Sequence, residues 1–390
     1  MRWRSSSATL LKAGLLAGLL SCETDRVVEP ASDCLVKASD RNGQVIAGSY
    51  IVTYKPEQAL SSAPNARVGS LVTHFLAKNK VADTEADVLF SGERTAFVAH
   101  LSQAESERLR NDPSVEMVEP DRVASMCSCV DVVTPTAVPW NIQLTGFGRG
   151  DYKAQLTKTV WVIDTGIDLN HPDLNVDKER SQSFITGKTA DDENGHGTHV
   201  AGIIGAINNN VGVLGIASGA KLVSLRVLDQ VGEGRVSGII SAVSHVVRNG
   251  KAGDVVNMSL GGEGTSATLE RQIQQAADKG ILFAIAAGNE GEAIKASPAR
   301  FNHPNVFTVS AMDRNENFAS FSNYGPEVDV CAFGVRVQST YKDGRYATLS
   351  GTSMATPHVA GLLLIRGNKI PTRGTVRNDP DGQPDPIVRE

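Results

Sequence analysis

Short apolar runs alternate with runs of helical periodicity between residues 159 and 310, and this alternation constrains the fold more than any other feature. Residues 159–163, 222–228, 255–260, 281–287 and 306–310 are compact apolar stretches bounded by turn residues. Residues 238–247 and 268–279 between them carry apolar side chains at helical spacing. Strands that alternate with helices predict an α/β fold: a doubly wound parallel sheet with helices on both faces. The 37 glycines suit the tight strand-to-helix turns of such a fold, and an apolar fraction of 41% suits a globular core. In open parallel sheets, functional groups collect at the carboxyl ends of strands.

Four local runs place reactive side chains at such ends. The strand at 159–163 ends in Asp164-Thr165-Gly166. Asn194-Gly195-His196-Gly197-Thr198-His199 sets a histidine at the start of an apolar helix. Ala286-Ala287-Gly288-Asn289 closes a buried strand with an amide. Gly351-Thr352-Ser353-Met354-Ala355 sets a serine among small residues just before a helix. A serine hydroxyl is a weak nucleophile that needs a base, and the oxyanion it creates needs hydrogen-bond donors. A helix N-terminus offers free N–H groups and a positive dipole end.

Together and in this order the four runs resemble the subtilisin-like serine proteases, nearest to the proteinase K branch, over roughly residues 136–366. The resemblance implies Ser353 as nucleophile, His196 as base, Asp164 as its partner and Asn289 as an oxyanion donor. His199, the competing histidine, is expected to be structural, bonded within its helix. The segment Ser259, Leu260, Gly261 and Gly262 resembles the one that pairs with substrate backbone. Ala286, Ala287, Gly288 and Ala296 are implied as walls of the P1 pocket, the pocket for the residue preceding the cut. These walls are small and uncharged, which favours large apolar or aromatic P1 residues. No cofactor is implied for the chemistry. A structural Ca²⁺ is implied at the carbonyls of Pro304 and Val306 with the carboxylate of Asp329. The family usually has proline where Phe333 stands in Ala332-Phe333-Gly334.

Upstream, residues 48–123 read as a small α+β unit. Residues 50–54, 95–99 and 115–119 are strand-like, residues 68–78 are helical, and Ser102-Gln103-Ala104-Glu105 is a capping box. The unit resembles the ferredoxin-like inhibitory propeptide of subtilases, through Tyr50-Ile51-Val52 and Val118-Glu119-Pro120-Asp121. That implies an intramolecular chaperone and inhibitor, removed by a cut between about Asp121 and Cys129. A peptidase domain is expected over 124–368 and a solvated polar tail over 369–390.

Residues 1–21 read as an export signal, with Arg2 and Arg4 ahead of an apolar core at 13–20 that is too short to span a bilayer. Leu19-Leu20-Ser21-Cys22 resembles a bacterial lipobox, with lipid on Cys22, while an ordinary secretory signal is the alternative. Residues 22–47 are read as a polar tether. The expected location is outside a bacterial cell, as an envelope lipoprotein or a secreted protein. Net charge is −5 with no basic block, so no nucleic-acid partner is expected. The expected partners are protein or peptide substrates, and the expected state is a monomer. Five cysteines leave the disulfide pattern open.

Overall fold

The computed structural model describes residues 39–55, 65–81, 85–92, 94–126, 129–147 and 157–390. Cys22, the export signal, Cys34 and Cys127 lie outside the described residues.

The N-terminal unit runs β1 (Val45–Tyr54), α1 (Asn65–Lys78), β2 (Ala86–Phe90), β3 (Thr95–His100), α2 (Gln103–Arg110) and β4 (Val115–Ser125). Its strands form an antiparallel sheet in the order β2-β3-β1-β4. Apolar residues of α1 and one face of the sheet form a separate core, in which Tyr54 stacks on Phe75 at 4.3 Å. The capping box of α2 forms, with Ser102 accepting from the Glu105 N–H and Glu105 accepting from the Ser102 N–H. The expected tether is ordered from residue 39 onward: the Gly43 N–H donates to Val123 O at 2.9 Å, and β1 begins at Val45.

The remainder runs β5 (Cys129–Val132), α3 (Trp140–Thr145), β6 (Thr159–Asp164), β7 (Gln182–Ser183), α4 (His196–Gly205), β8 (Lys221–Arg226), β9 (Glu233–Arg235) and α5 (Val236–Asn249). It continues with β10 (Val255–Met258), α6 (Ala267–Asp278), β11 (Leu282–Ala286), β12 (Val306–Met312), β13 (Val330–Phe333), β14 (Val337–Tyr341) and β15 (Arg345–Ser350). The last elements are α7 (Thr352–Arg366), β16 (Thr372–Thr375) and β17 (Pro386–Val388). The main sheet has the order β16-β17-β13-β12-β11-β10-β6-β8-β7, and it is parallel except for β16.

Both faces are apolar because alternate residues of each strand point to opposite sides. In β6, Val160 and Val162 join the core beneath α4 and α7, while Trp161 and Ile163 join the core beneath α5 and α6. The strand β11 divides in the same way: Leu282 and Ala284 to one side, Phe283 and Ile285 to the other. Helix α7 is buried on every side up to Leu364, which its Ala-, Gly- and Leu-rich sequence permits. No described helix is long and apolar enough to cross a membrane.

The stretch 369–390 is not a solvated tail. Its strand β17 pairs with β13 through Cys331 and Ile387, and Val376, Ile387 and Val388 are buried. Phe333, the departure from the family pattern, explains the docking. It is buried against Trp140 at 5.1 Å and shares a small core with Met312, Cys331, Val376 and Ile387. The larger side chain thus builds an apolar site that the C-terminal segment covers.

That segment also buries Asp385, whose Oδ2 accepts from Ser310 Oγ at 2.6 Å. Burial, aided by Asp379, Asp381 and Asp329, pushes its carboxyl up to about 7. A folded-state value above the unfolded one contributes stability that is complete below about pH 4 and is lost as pH rises to about 7. Asp385→Asn keeps a partner for Ser310 and removes the titration. The variant is expected to melt higher than the parent at pH 8, by an amount on the order of a few kcal/mol in stability, and to show a flatter profile from pH 5 to 8. Thermal melts in a Ser353→Ala background, free of self-digestion, check this. Parallel pH profiles would reject it.

Candidate active site

The carboxyl ends of β6 and β11 and the N-termini of α4 and α7 meet at one cleft. Asp164, at the end of β6, accepts from His196 Nδ1 at 2.7 Å and from the Thr165 N–H at 2.7 Å through the same oxygen, Oδ1. Both side chains are fully buried. Glycine at 197 makes this approach possible, since a Cβ there would lie 2.1 Å from Gly166 O and 3.0 Å from the Asp164 side chain. Any larger residue would push α4 away from β6.

His196 opens α4, and its loop is held by a residue the sequence reading passed over. Buried Asp192 accepts from Thr165 Oγ1, from the backbone N–H groups of Asn194, Gly195 and Thr198, and from Thr198 Oγ1. Burial raises its carboxyl, and these donors work against that rise. Its signal was present in Asp192-Glu193-Asn194-Gly195, an acid poised to cap the helix that follows. His199 is structural, as expected, but its partners are not in its own helix. Its Nε2 lies 3.1 Å from both Val337 O and Ala347 O, and burial pushes it down to about 3.

Ser353 stands in the first turn of α7, with its Oγ donating to Ser259 O at 3.1 Å. Ser259 Oγ returns a bond to Ser353 O at 2.8 Å. His196 Nε2 is buried and makes no hydrogen bond to the protein. Asn289 Oδ1 accepts from the Thr352 N–H at 2.8 Å and from Thr352 Oγ1 at 2.9 Å. These bonds fix which end of the amide is the oxygen and anchor it to the start of α7.

Leu260, Gly261, Ala286, Ala287, Gly288, Ala296 and Ser353 line one pocket, and Ser259 is not among its lining residues. The surroundings are not wholly uncharged. Exposed Glu290, Glu292 and Lys295 also line it, at the rim. Of the expected calcium ligands, Asp329 Oδ2 accepts from the Thr308 N–H at 2.8 Å. Among the described residues no group of three or more His, Cys, Asp or Glu is placed to hold a metal. A fully buried carboxylate oxygen without a partner does stand elsewhere, at Asp173 Oδ1 beside Val213.

The end of β4 occupies this cleft. Ser125 and Gly261 exchange backbone hydrogen bonds of 3.0 and 3.2 Å, and the Met126 N–H donates to Gly232 O at 3.1 Å. On the other side, Val123, Ala124 and Ser125 pair with β9. Gly232, at φ +82, permits the approach, because a Cβ there would sit 2.8 Å from Met126. The preceding acids clamp the N-terminal unit in place. Glu119 accepts from Ser266 Oγ at 2.9 Å and from the Ala267 N–H at 3.2 Å at the start of α6. Asp121 accepts from the Ser237 N–H at 3.1 Å and from Ser237 Oγ at 2.7 Å at the start of α5. Carboxylates satisfy the free N–H groups of helix N-termini and meet the positive dipole end. The Glu119-Pro120-Asp121 run is therefore a pair of helix caps two residues apart.

Comparison with known proteins agrees with this architecture. The subtilase family model matches residues 157–377, and that of peptidase inhibitor I9 matches residues 49–126. The chain is 39% identical over 299 residues to a thermostable alkaline protease of Halalkalibacterium halodurans, covering 74% of this chain and 77% of that protein. It is 40% identical over 284 residues to subtilisin NAT of Bacillus subtilis subsp. natto, covering 71% of each. A crystal structure of a cold adapted subtilisin-like serine proteinase superposes with a TM-score of 0.55 at 34% identity, covering 65% of this chain and 98% of that one. The chain belongs to the subtilase family: it is a serine endopeptidase made with an N-terminal inhibitor I9 propeptide.

Proposed function

We propose that this subtilase is exported from a bacterial cell and matures itself, through Asp164, His196, Ser353 and Asn289. The observation that carries this reading is that residues 123–126 already lie in the cleft as an added strand beside Ser353. Ser125 pairs antiparallel with Gly261, which lies two residues after Ser259, and the Ser259 carbonyl holds the Ser353 hydroxyl. Counting two residues along the sequence from Ser125, as Ser259 lies two before Gly261, we infer Cys127–Ser128 as the bond cut. Ser353 Oγ attacks the carbonyl carbon while His196 Nε2 takes its proton, and Asp164 holds the imidazole tautomer and balances its charge. The oxyanion is met by Asn289 Nδ2 and the Ser353 N–H. Collapse breaks the C–N bond, and His196 returns the proton to the leaving amine. Water repeats the sequence on the acyl-enzyme. Ser259, Leu260 and Gly261 carry the substrate backbone.

N-terminal sequencing and intact mass of the exported protein test this reading. The expected new N-terminus is Ser128, and the same spectrum reports acylation at Cys22. A new N-terminus at any other residue would reject the register.

The pocket walls Ala286, Ala287, Gly288 and Ala296 favour Phe, Leu or Tyr at P1 over Lys, Arg or Asp. A peptide-library profile dominated by basic P1 residues would contradict this. Calcium is proposed to bind at Asp329 with the carbonyls of Pro304 and Val306. A folded-state ligand at a hundredfold excess over its Kd stabilises by about 2.7 kcal/mol. Chelator should lower the melting temperature by several degrees, and Asp329→Asn should abolish the response. If Asp173→Asn abolishes it instead, the ion sits beside Val213.

A further inference from the structure

Along one edge of β4 the hydrogen-bond partner changes within two residues. The Val123 N–H donates to Gln44 O and the Gly43 N–H donates to Val123 O, both at 2.9 Å, so here the N-terminal unit still pairs with itself. At Ser125 the partner is Gly261 of the peptidase domain. The two partners meet closely. Gly43 has φ +74, and a Cβ there would lie 2.2 Å from Glu263 Cβ, so the backbone of residue 43 rests against the segment that continues from Gly261. Arg122 Nη1 donates to Gly43 O at 2.9 Å and holds it there.

The residues just before Gly43 reach the opposite edge of β4. The Asn42 N–H donates to Ser39 O at 2.8 Å and closes a turn. Asn42 lines the same pocket as Ala296 and Ser353, and its buried Oδ1 makes no hydrogen bond. The Ser39 N–H donates to Ser125 Oγ at 3.2 Å. Ser39 Oγ donates to Glu233 Oε1, and Arg41 Nη1 donates to Glu233 Oε2 at 2.9 Å. Glu233 belongs to β9, which pairs with β4 on the side away from Gly261. Residues 39–44 thus touch both strands that flank the end of β4. They also precede residue 49, where the inhibitor I9 match begins.

We propose that residues 39–44 are a second inhibitory element, a clasp outside the I9 unit that holds the strand 123–126 in the cleft, with Glu233 as its receiving group. A strand added to an open edge is held by main-chain hydrogen bonds, and its end can peel away. The clasp opposes this. Ser39 joins Ser125 to Glu233, so separation of Ser125 from Gly261 pulls on the contacts of Ser39 and Arg41 as well. Linked contacts act together, and their effect falls mainly on the rate at which the occupant leaves. An ion pair between exposed groups adds little, but only 16% of the Glu233 side chain is exposed, against 62% for Arg41, so the carboxylate end is sheltered.

The kinetic consequence rests on self-maturation, and the test keeps the two apart. Ser39, Arg41 and Gly43 all lie upstream of the cut, so every variant releases the same mature enzyme. The full-length chain carries either Ser39→Ala with Arg41→Ala, or Gly43→Ala. Hydrogen exchange in a Ser353→Ala background reads the clasp without any cleavage. The amides of residues 123–126 should exchange about threefold faster or more in both variants, with those of Val52 and Phe97 in the N-terminal core unchanged. Equal exchange, or a rise throughout the N-terminal unit, would overturn the clasp whether or not the parent matures. With Ser353 present, intact mass follows the cut and a peptide anilide follows activity. Both variants should be cut to the parent's extent, and the delay between cut and activity should shorten about threefold or more. Asp40→Ala, at an exposed position of the same turn, should keep the parent's delay. Parent-like delays in both variants would overturn the clasp, whereas a parent that is never cut would overturn self-maturation and leave the exchange result to decide.

Discussion

Ser353→Ala is expected to accumulate as an uncut precursor that retains residues 39–126 on the peptidase domain. The same change should lower peptide hydrolysis by about 10⁶-fold, the size found for loss of the serine or histidine in subtilisin. The structure makes this a test of chemistry and not of folding. The Ser353 hydroxyl makes one hydrogen bond, to Ser259 O, and an alanine leaves the packing of α7 unchanged. One such bond contributes about 1 kcal/mol, too little to unfold the domain. The propeptide contacts through Glu119, Asp121 and Ser125 do not involve the hydroxyl, so the inhibited complex should persist. Intact mass after expression in a protease-deficient host is the measurement. The wild type should in addition react with a fluorophosphonate probe and the variant should not. Normal maturation of the variant would show that another agent makes the cut, or that Ser353 is not the nucleophile.

How much of this was legible in the sequence depended on the range of the interactions. Asp164, His196, Asn289 and Ser353 each sit in a local run whose turn chemistry announces a strand end or a helix start, and the parallel sheet follows from alternating periods. The capping box at Ser102 was readable for the same reason. What escaped depends on partners far along the chain. β17 is three residues long, and its burial follows from a pairing with β13 and from the apolar site around Phe333. Ile387-Val388 in a polar stretch was its only local mark. The pairing of β5 with β15 is more than two hundred residues apart in sequence, and the exposed Val130 and Val132 carry no core signal. The carbonyl partners of His199 on β14 and β15 could not be found from helix spacing. The charged rim of Glu290, Glu292 and Lys295 lies close to the pocket walls in sequence, and only folding shows that these residues reach it.

The second large effect is expected at Asn289. Its carboxamide serves two purposes that different substitutions separate. The oxygen braces the start of α7, through the Thr352 N–H and Oγ1, and the Gly288 N–H in turn donates to Thr352 Oγ1 at 3.2 Å. The nitrogen is the end proposed to meet the oxyanion. Asn289→Asp keeps the acceptor for Thr352 and replaces the donor by a negative charge, whereas Asn289→Ala removes both. Because the oxyanion exists only along the reaction path, loss of the donor should fall on kcat and leave KM nearly unchanged. The expected fall for Asn289→Ala is about 100- to 1000-fold, as found when subtilisin loses its oxyanion asparagine. Asn289→Asp should fall at least as far, since its carboxylate repels the developing charge while the brace on α7 survives. Thr352→Val removes one donor to the brace but leaves the Asn289 amide in place, so it should change kcat much less. Steady-state kinetics on one peptide, with melting temperatures for all three variants, distinguish the roles. If Asn289→Asp retained parent-like turnover, the oxyanion role would be lost and Asn289 would be only a brace for the helix that carries Ser353.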